Sequence, residues 1–455
     1  MSTSKVPSDV ITDILFRLGV KPLLRFRCLS KACCVLIDDP DFINHHLRLS
    51  IHSRSNLNLV LKNLHLYSVD LDSLDTAVAL DYPVSLSGGT EVFGSSNGLI
   101  ALRSSDRDIG LYNPSTRKRF KLPVEPVDPT GDSSRSPGYV FYGFGYDSVS
   151  DDYKVVRMVT FNKFEDNDRH ADRDGDGGDN NVGYLLDYEV KVYSLRKNSW
   201  KRVYMLPIYL SFMFRFFYHL LHRRGYGVLV SGVLHWIFPK RPELNAPNFI
   251  VGFDLGAEAF RDVPQPDYAS VDGGWVTFDM QIDVGVFDGC LCVVVNYGEV
   301  YVDVWVMKEY GVRESWTKVF TVQRPKMLRH FSFLRPLAYS KEGDKVLVEL
   351  NSEKLVWYDP TRKRFKTVRI NGAPNSTSAE VYVASLVPLI DKDEICKKQQ
   401  KDQVEKNRQT KKRLLQRSLQ PCLLQEITYS GMISFQWGLS LFYNQISRDT
   451  KLELS

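Results

Sequence analysis

Four groups of residues in this 455-residue chain have types that could do chemistry. Asp172, Asp174, Asp176 and Gly177 spell the first half of a calcium loop, D-x-D-x-D-G, in which alternating carboxylates wrap a hard cation. The twelfth position of that loop should carry a bidentate Glu; it is Gly183, and no helical pattern flanks it, so the segment reads as an acidic insertion. Cys290 and Cys292 alternate along an apolar strand and so share one face, where reduced cysteines serve as small core residues. His45, His46, His219 and His222 have no partners at metal-ligand spacing and read as surface or boundary residues. No G-x-S-x-G, Walker loop, H-E-x-x-H or Cys-His nucleophile pattern occurs, so catalysis, a metal and a cofactor are not expected.

The fourth group is basic. Arg362, Lys363 and Arg364 lie in "WYDPTRKRF" (357–365), and Arg117, Lys118 and Arg119 in the near-copy "LYNPSTRKRF" (111–120). They could grip phosphates, or they could mark a repeated structural unit whose turns carry solvated cations. Composition favours the second reading. The net charge is +5, and 391–417 alone holds ten Lys or Arg against five Asp or Glu, so the rest is near neutral and a nucleic-acid-binding body is not expected. Seven cysteines, without a CxxC pair, fit a reduced compartment. The most apolar stretch, 207–221, contains Arg215 and falls short of the roughly 18 residues of a membrane span. Lys5 and Asp9 interrupt the start before a secretory apolar run develops.

What elements would position such residues? Val10, Ile11, Ile14, Leu15 and Leu18 recur within one arc of about 140° at helical periodicity, with Ser8 or Asp9 as cap and Gly19 as the end. Pro22 opens a second short helix carrying Leu23, Leu24 and Phe26. Ser30 caps a third, with Ala32, Cys33, Leu36 and Ile37, which stops at Asp39-Pro40. Three such helices cannot bury their own apolar surface, so a partner or the rest of the chain must cover it.

The segment from Pro7 through "RLGVKPLLRFRCLSKACCVLI" to Pro40-Asp41-Phe42 resembles the F-box of plant proteins, with Gly19 in place of the usual proline and Cys33 in place of the usual tryptophan. The resemblance implies that a Skp-family adaptor, and through it a cullin, docks on Pro7, Ile11, Ile14, Leu15, Leu18, Leu23, Leu24, Arg27, Cys28, Lys31, Leu36 and Ile37.

Beyond residue 60 one unit occurs six times: an apolar strand ending in an aromatic, a polar turn, then Phe or Trp about seven residues on. Its markers are Tyr67, Tyr112, Tyr193, Phe253, Trp305 and Tyr358, at intervals of 45, 81, 60, 52 and 53 residues, the longest containing the acidic insertion at 165–183. Strand-rich units at such periods are what a β-propeller produces. "FGSSNGLIAL", "GYDSVSDDYKVVRMV", "VKVYSLRKNSWKRV" and "LHW" resemble the kelch-like F-box-associated domain. The expectation is thus a multi-domain chain. An all-α F-box (1–48) precedes an all-β propeller of about six blades (55–390), a basic helical tail (391–418) and an unassigned end (419–455). The resemblance further implies a non-catalytic receptor of a ubiquitin ligase in the cytoplasm and nucleus, its targets intracellular nucleotide-binding leucine-rich-repeat immune receptors. A propeller that binds glycans, or that sequesters a partner without degradation, is the alternative. Target-contacting loops are guessed at 222–227 and 264–275.

Overall fold

The computed structural model describes residues 8–82, 90–127, 135–163, 187–205, 207, 225–239, 248–267, 280–297, 300–323, 333–374 and 378–389. The acidic insertion, the calcium-like motif, His219, His222 and both tail segments lie outside them.

Four helices, not three, open the chain: α1 Ser8–Phe16, α2 Val20–Phe26, α3 Lys31–Ile37 and α4 Pro40–His52. The Asp39-Pro40 pair that reads as a stop is also a start. The Asp39 carboxylate accepts from the backbone N–H of Asp41 (2.9 Å) and Phe42 (3.2 Å), and proline needs no partner for its nitrogen in a first helical turn. The added helix supplies the missing core, turning Phe42, Ile43 and Leu47 inward and stacking Phe42 on Phe16 at 4.6 Å. Each buried side chain contributes roughly 1.5–3 kcal/mol, so the helices hold together without borrowing surface.

The strands run in fours. In chain order they are β1 Leu57–Lys62, β2 Leu66–Asp70 and β3 Val78–Ala79; β4 Glu91–Ser96, β5 Leu99–Ser105, β6 Asp108–Asn113 and β7 Lys118–Lys121; β8 Arg135–Asp147, β9 Asp152–Lys163, β10 Asp187–Ser194 and β11 Ser199–Val203. They continue with β12 Tyr226–Val230, β13 Val233–Pro239, β14 Asn248–Asp254 and β15 Ala259–Asp262; β16 Met280–Phe287, β17 Cys290–Tyr297, β18 Tyr301–Met307 and β19 Trp316–Gln323; β20 Leu334–Tyr339, β21 Val346–Leu350, β22 Lys354–Asp359 and β23 Arg364–Thr367; and last β24 Ser378–Val383. Each set of four is an antiparallel meander, and β24 returns to pair with β1, completing the first meander as β24-β1-β2-β3. The described residues thus form six four-stranded units, closed by joining the two ends of the chain's β region. Apolar layers lie between neighbouring units: Phe141, Val156 and Trp236 between the third and fourth, for example, and Leu59, Leu347 and Ala379 between the sixth and first. Cys292 is buried in such a layer and Cys290 packs at its edge, as expected of core thiols.

The repeated phrase has a structural meaning. All six markers fall on the third strand of a unit, and three pair directly with the aromatic seven residues later: Tyr193 with Trp200, Phe253 with Phe260, Tyr358 with Phe365. Their rings sit 4.9–5.3 Å apart. The residue after the marker caps the turn: the side chains of Asn113, Ser194, Asp254 and Asp359 accept from backbone N–H groups two or three residues on. Five residues after the marker the backbone turns left-handed, at Arg117 (φ 58), Asn198 (φ 50), Glu258 (φ 52) and Lys363 (φ 51). Arg117, Lys118, Arg119, Arg362, Lys363 and Arg364 are therefore exposed residues of turns and outermost strands, where charge also discourages pairing with another sheet.

One junction departs from the pattern. β8 and β12 pair in parallel through Tyr142–Tyr226 and Gly143–Gly227, fusing the third and fourth units into one eight-stranded sheet. A Cβ on Gly227 would lie 2.4 Å from the Trp236 ring, and one on Gly143 2.7 Å from Leu234, so the close approach requires glycine at both positions.

In each meander the turns after strands one and three lie at one end, and the connections after strands two and four at the other. The first end carries tight turns, such as Asn97-Gly98, Ser231-Gly232 and Asp288-Gly289, with both residues at positive φ. β1 is a second strand and starts directly after α4, so the helices stand at this tight-turn end. Arg54 confirms the placement by pairing with Asp288. The longer connections, including those spanning 164–186, 206–225 and 268–279, leave and enter at the opposite end.

Candidate docking surfaces

On the helices the structure separates residues that the periodicity grouped together. Leu15, Leu23 and Ile37, read as adaptor contacts, are 2%, 0% and 1% exposed and hold the helices to one another. Ile11 and Ile14 are exposed; Leu18, Leu24 and Leu36 are half-buried; Cys28 and Lys31 are exposed. Pro7 lies outside the described residues. Arg27 is exposed but committed: its guanidinium donates to both oxygens of Asp38 at 2.6 and 2.7 Å, tying the end of α2 to the end of α3. The same hydrogen bonding holds the Asp38 carboxyl below its ordinary range. Cys34, half-buried, donates its thiol to Asp38 at 3.4 Å.

Sequence reasoning missed the two most exposed apolar residues of the helical unit. Val35 (73%) and Leu29 (70%), with Val10 and Phe26, extend the surface of Ile11 and Ile14. The signal was available, since Val35 stands two residues from the buried Ile37, about 200° around the helix and so on its outer face. An apolar surface of this kind on a small, internally packed helical unit marks an interaction site. His46, expected at the surface or at a boundary, is 2% exposed where α4 meets the end of α1, with Nε2 2.8 Å from the Leu18 carbonyl, and burial pushes its pKa down. It closes the open end of α1.

Within the strand-rich region a cavity of about 1180 Å³ is bordered by first strands of the units, among them residues of β4, β12, β16 and β20. Ile51–Ser55 and the turns at Asp288-Gly289 and 340–343 also border it, which places its inner end against the helices. Towards the opposite end sits an aromatic and charged cluster. Arg103 donates to Glu91 (2.9 Å) and Asp106 (3.1 Å), Tyr142 donates to Asp106 (3.0 Å), and Tyr226 bonds Glu91. Burial raises the Glu91 carboxyl, but the Tyr226 hydroxyl and Arg103 outweigh it and hold the group below its ordinary range. The guanidinium lies over both rings, 5.2 Å from Tyr142 and 5.8 Å from Tyr226. One face of each ring is thereby taken up by the guanidinium.

Of the guessed target loops, Gly225–Gly227 border the cavity and Pro264 accepts from the Trp316 indole at 2.9 Å; 222–224 and 268–275 lie outside the described residues. Among the described residues no group of His, Cys, Asp or Glu could hold a metal, and no helix is long and apolar enough to cross a membrane.

Comparison with known proteins agrees with this architecture. Residues 4–45 match the F-box domain, and residues 50–393 match the F-box associated beta propeller domain. The chain is 53% identical over 384 residues to F-box protein CPR1 of Arabidopsis thaliana, covering 84% of this chain and 88% of that protein. It is 39% identical to F-box protein At4g22390 of the same plant (84% and 90% covered) and 27% identical to its F-box/kelch-repeat protein At3g23880 (85% and 96%). This chain belongs to the F-box proteins that carry an F-box-associated β-propeller domain.

Proposed function

We propose that the protein is the substrate receptor of a Skp, cullin and F-box ubiquitin ligase. The observation that carries the reading is the outward apolar surface of Ile11, Ile14, Phe26, Leu29 and Val35, on helices whose inward residues are already satisfied. A Skp-family adaptor would cover it. The propeller would hold a target, so that the conjugating enzyme brought by the cullin meets target lysines at high effective concentration. Bond making and breaking then belong to those partners, and this chain contributes binding alone. By resemblance, the targets are intracellular nucleotide-binding leucine-rich-repeat immune receptors, met in the cytoplasm and nucleus, whose removal restrains plant defence.

The test is adaptor co-purification with point variants, because a deletion ending at residue 48 would cut through α4. Leu29→Asp/Val35→Asp should fold and lose adaptor affinity by at least about tenfold, since each apolar side chain contributes roughly 1.5–3 kcal/mol when covered. Undiminished binding by this variant would exclude the surface. Target abundance is the second readout: a half-life unchanged on loss of the protein favours sequestration over degradation.

A further inference from the structure

Between α4 and β1 lie only Ser53, Arg54, Ser55 and Asn56, and these are fastened on every side. Arg54 (φ 52) and Asn56 (φ 59) are both left-handed, a conformation uncommon for residues other than glycine and asparagine. A relay of hydrogen bonds runs from α1 to the closing strand. His46 Nε2 donates to the Leu18 carbonyl (2.8 Å), Ser50 Oγ to the His46 carbonyl (2.9 Å), and Asn56 Nδ2 to Ser50 Oγ (2.8 Å). The Ala384 N–H then donates to the Asn56 carbonyl (2.8 Å), just beyond β24. Arg54 adds a second anchor, pairing with the Asp288 carboxylate and donating to its carbonyl at 3.0 Å. Gly19 stands against this relay: a Cβ there would lie 3.1 Å from Asn56 Oδ1, an amide held at its other end by Ser50.

We propose that Arg54 and Asn56 are positioning residues that lock the helical unit at one angle on the tight-turn end of the propeller, and that Gly19 is the residue that admits the lock. Gly19 is then an element of this junction and not a weakened adaptor contact. Resting on the ligase reading above, the consequence is a fixed separation between the adaptor surface and the end of the propeller where the long connections emerge. Ubiquitin transfer would then reach a restricted set of target lysines.

Spectroscopic labels placed by bio-orthogonal chemistry at Lys21, on α2, and Leu64, at the far end of β1, report the angle in the full chain without any partner. The parent should give a single narrow distance distribution. Arg54→Ala/Asn56→Ala should roughly double its width, while adaptor affinity, measured on unlabelled protein, is unchanged. Gly19→Ala reaches the same contact from the helical side and leaves every propeller residue in place, so it decides the matter if the double variant fails to fold. A distribution as narrow as the parent's in a folded variant overturns the proposal. Because the labels read the free chain, failure to bind an adaptor would refute the ligase reading alone.

Discussion

Closure of the ring should depend on Arg335 more than on any other charged residue of the propeller. Its guanidinium donates to Glu349 (2.8 Å) on β21, to Glu380 (2.8 Å) on β24, and to the Ala379 carbonyl; Glu349 in turn accepts the Ala379 N–H at 3.0 Å. One ion pair thus grips both backbone groups of a residue in the closing strand and joins the sixth unit to the first. Glu349 is 0% exposed, whereas Glu380 is 27% exposed and keeps its hydration. Replacing Arg335 with Met therefore deprives one buried carboxylate of its cation, a change that costs about 3–5 kcal/mol, while the Glu380 share is near the 0–1 kcal/mol of a surface pair. Against a typical total of about 5–15 kcal/mol, that is a large fraction.

Urea unfolding followed by tryptophan fluorescence measures the loss, and hydrogen exchange at Ala379 locates it. Arg335→Met should lower the unfolding free energy by about 3–5 kcal/mol and strip protection from the Ala379 amide. Arg335→Met/Glu349→Leu should recover only part of the stability: removing both charges leaves no buried carboxylate stranded, but the buried Ala379 N–H and carbonyl lose their partners. A single variant that loses less than about 1 kcal/mol, with Ala379 still protected, would refute the reasoning. It would mean that β24 is held by its ladder to β1 and by packing alone.

Two further outcomes follow from buried groups. His235 is fully buried, with Nδ1 donating to the Val228 carbonyl (3.1 Å) and Nε2 accepting from the Tyr310 hydroxyl (2.8 Å), and burial pushes its pKa down to about 4. Its contribution is complete above pH of about 6.5 and is lost as pH falls towards 4, where the unfolded chain binds a proton that the folded one refuses; the full loss is about 3 kcal/mol. Stability measured against pH should therefore fall less steeply in that window for His235→Gln than for the parent, and parallel curves would count against a neutral buried imidazole. In the sheet, Gly143→Ala should cost about 1–3 kcal/mol by forcing a methyl into Leu234 and Trp236, whereas Gly285→Ala, whose Cβ meets nothing within 4 Å, should shift the thermal midpoint little. Equal effects at the two positions would show that β8 and β12 can separate without penalty.

The elements that sequence reasoning recovered are those whose signal is local. Tyr193 and Trp200 announce a strand, turn and strand because seven residues carry the chain around one capped turn and back to a direct cross-strand pair. β24 had no such signal. Its partner β1 lies more than three hundred residues earlier, and "SAEVYV" carries no turn that joins the two. α4 was missed because Asp39-Pro40 ends one helix and begins the next with the same two residues. Among the docking residues, Ile11 and Leu15 lie only about 40° apart on an ideal helix, yet one is exposed and the other buried. Periodicity identifies an apolar face; it does not divide that face between the chain's own core and a partner.

The same distinction explains why the helical end of the molecule could be read and the other end could not. At the tight-turn end, left-handed backbone positions and capping side chains admit few residue types, so Asn97-Gly98, Asp288-Gly289 and the capped turns after Tyr112, Tyr193, Phe253 and Tyr358 are recognisable on sight. These turns fix where first and second strands meet, and hence where Arg54 finds Asp288 and where the helices stand. Connections at the opposite end face no such restriction. One takes only residues 63–65 between β1 and β2, and its counterpart takes 164–186 between β9 and β10, with the strands on either side in the same meander arrangement. Length and composition at that end can therefore change without moving α1 to α4. A binding surface built there leaves the helical end undisturbed, and for that same reason it leaves no geometric rule in the sequence from which its residues could be named.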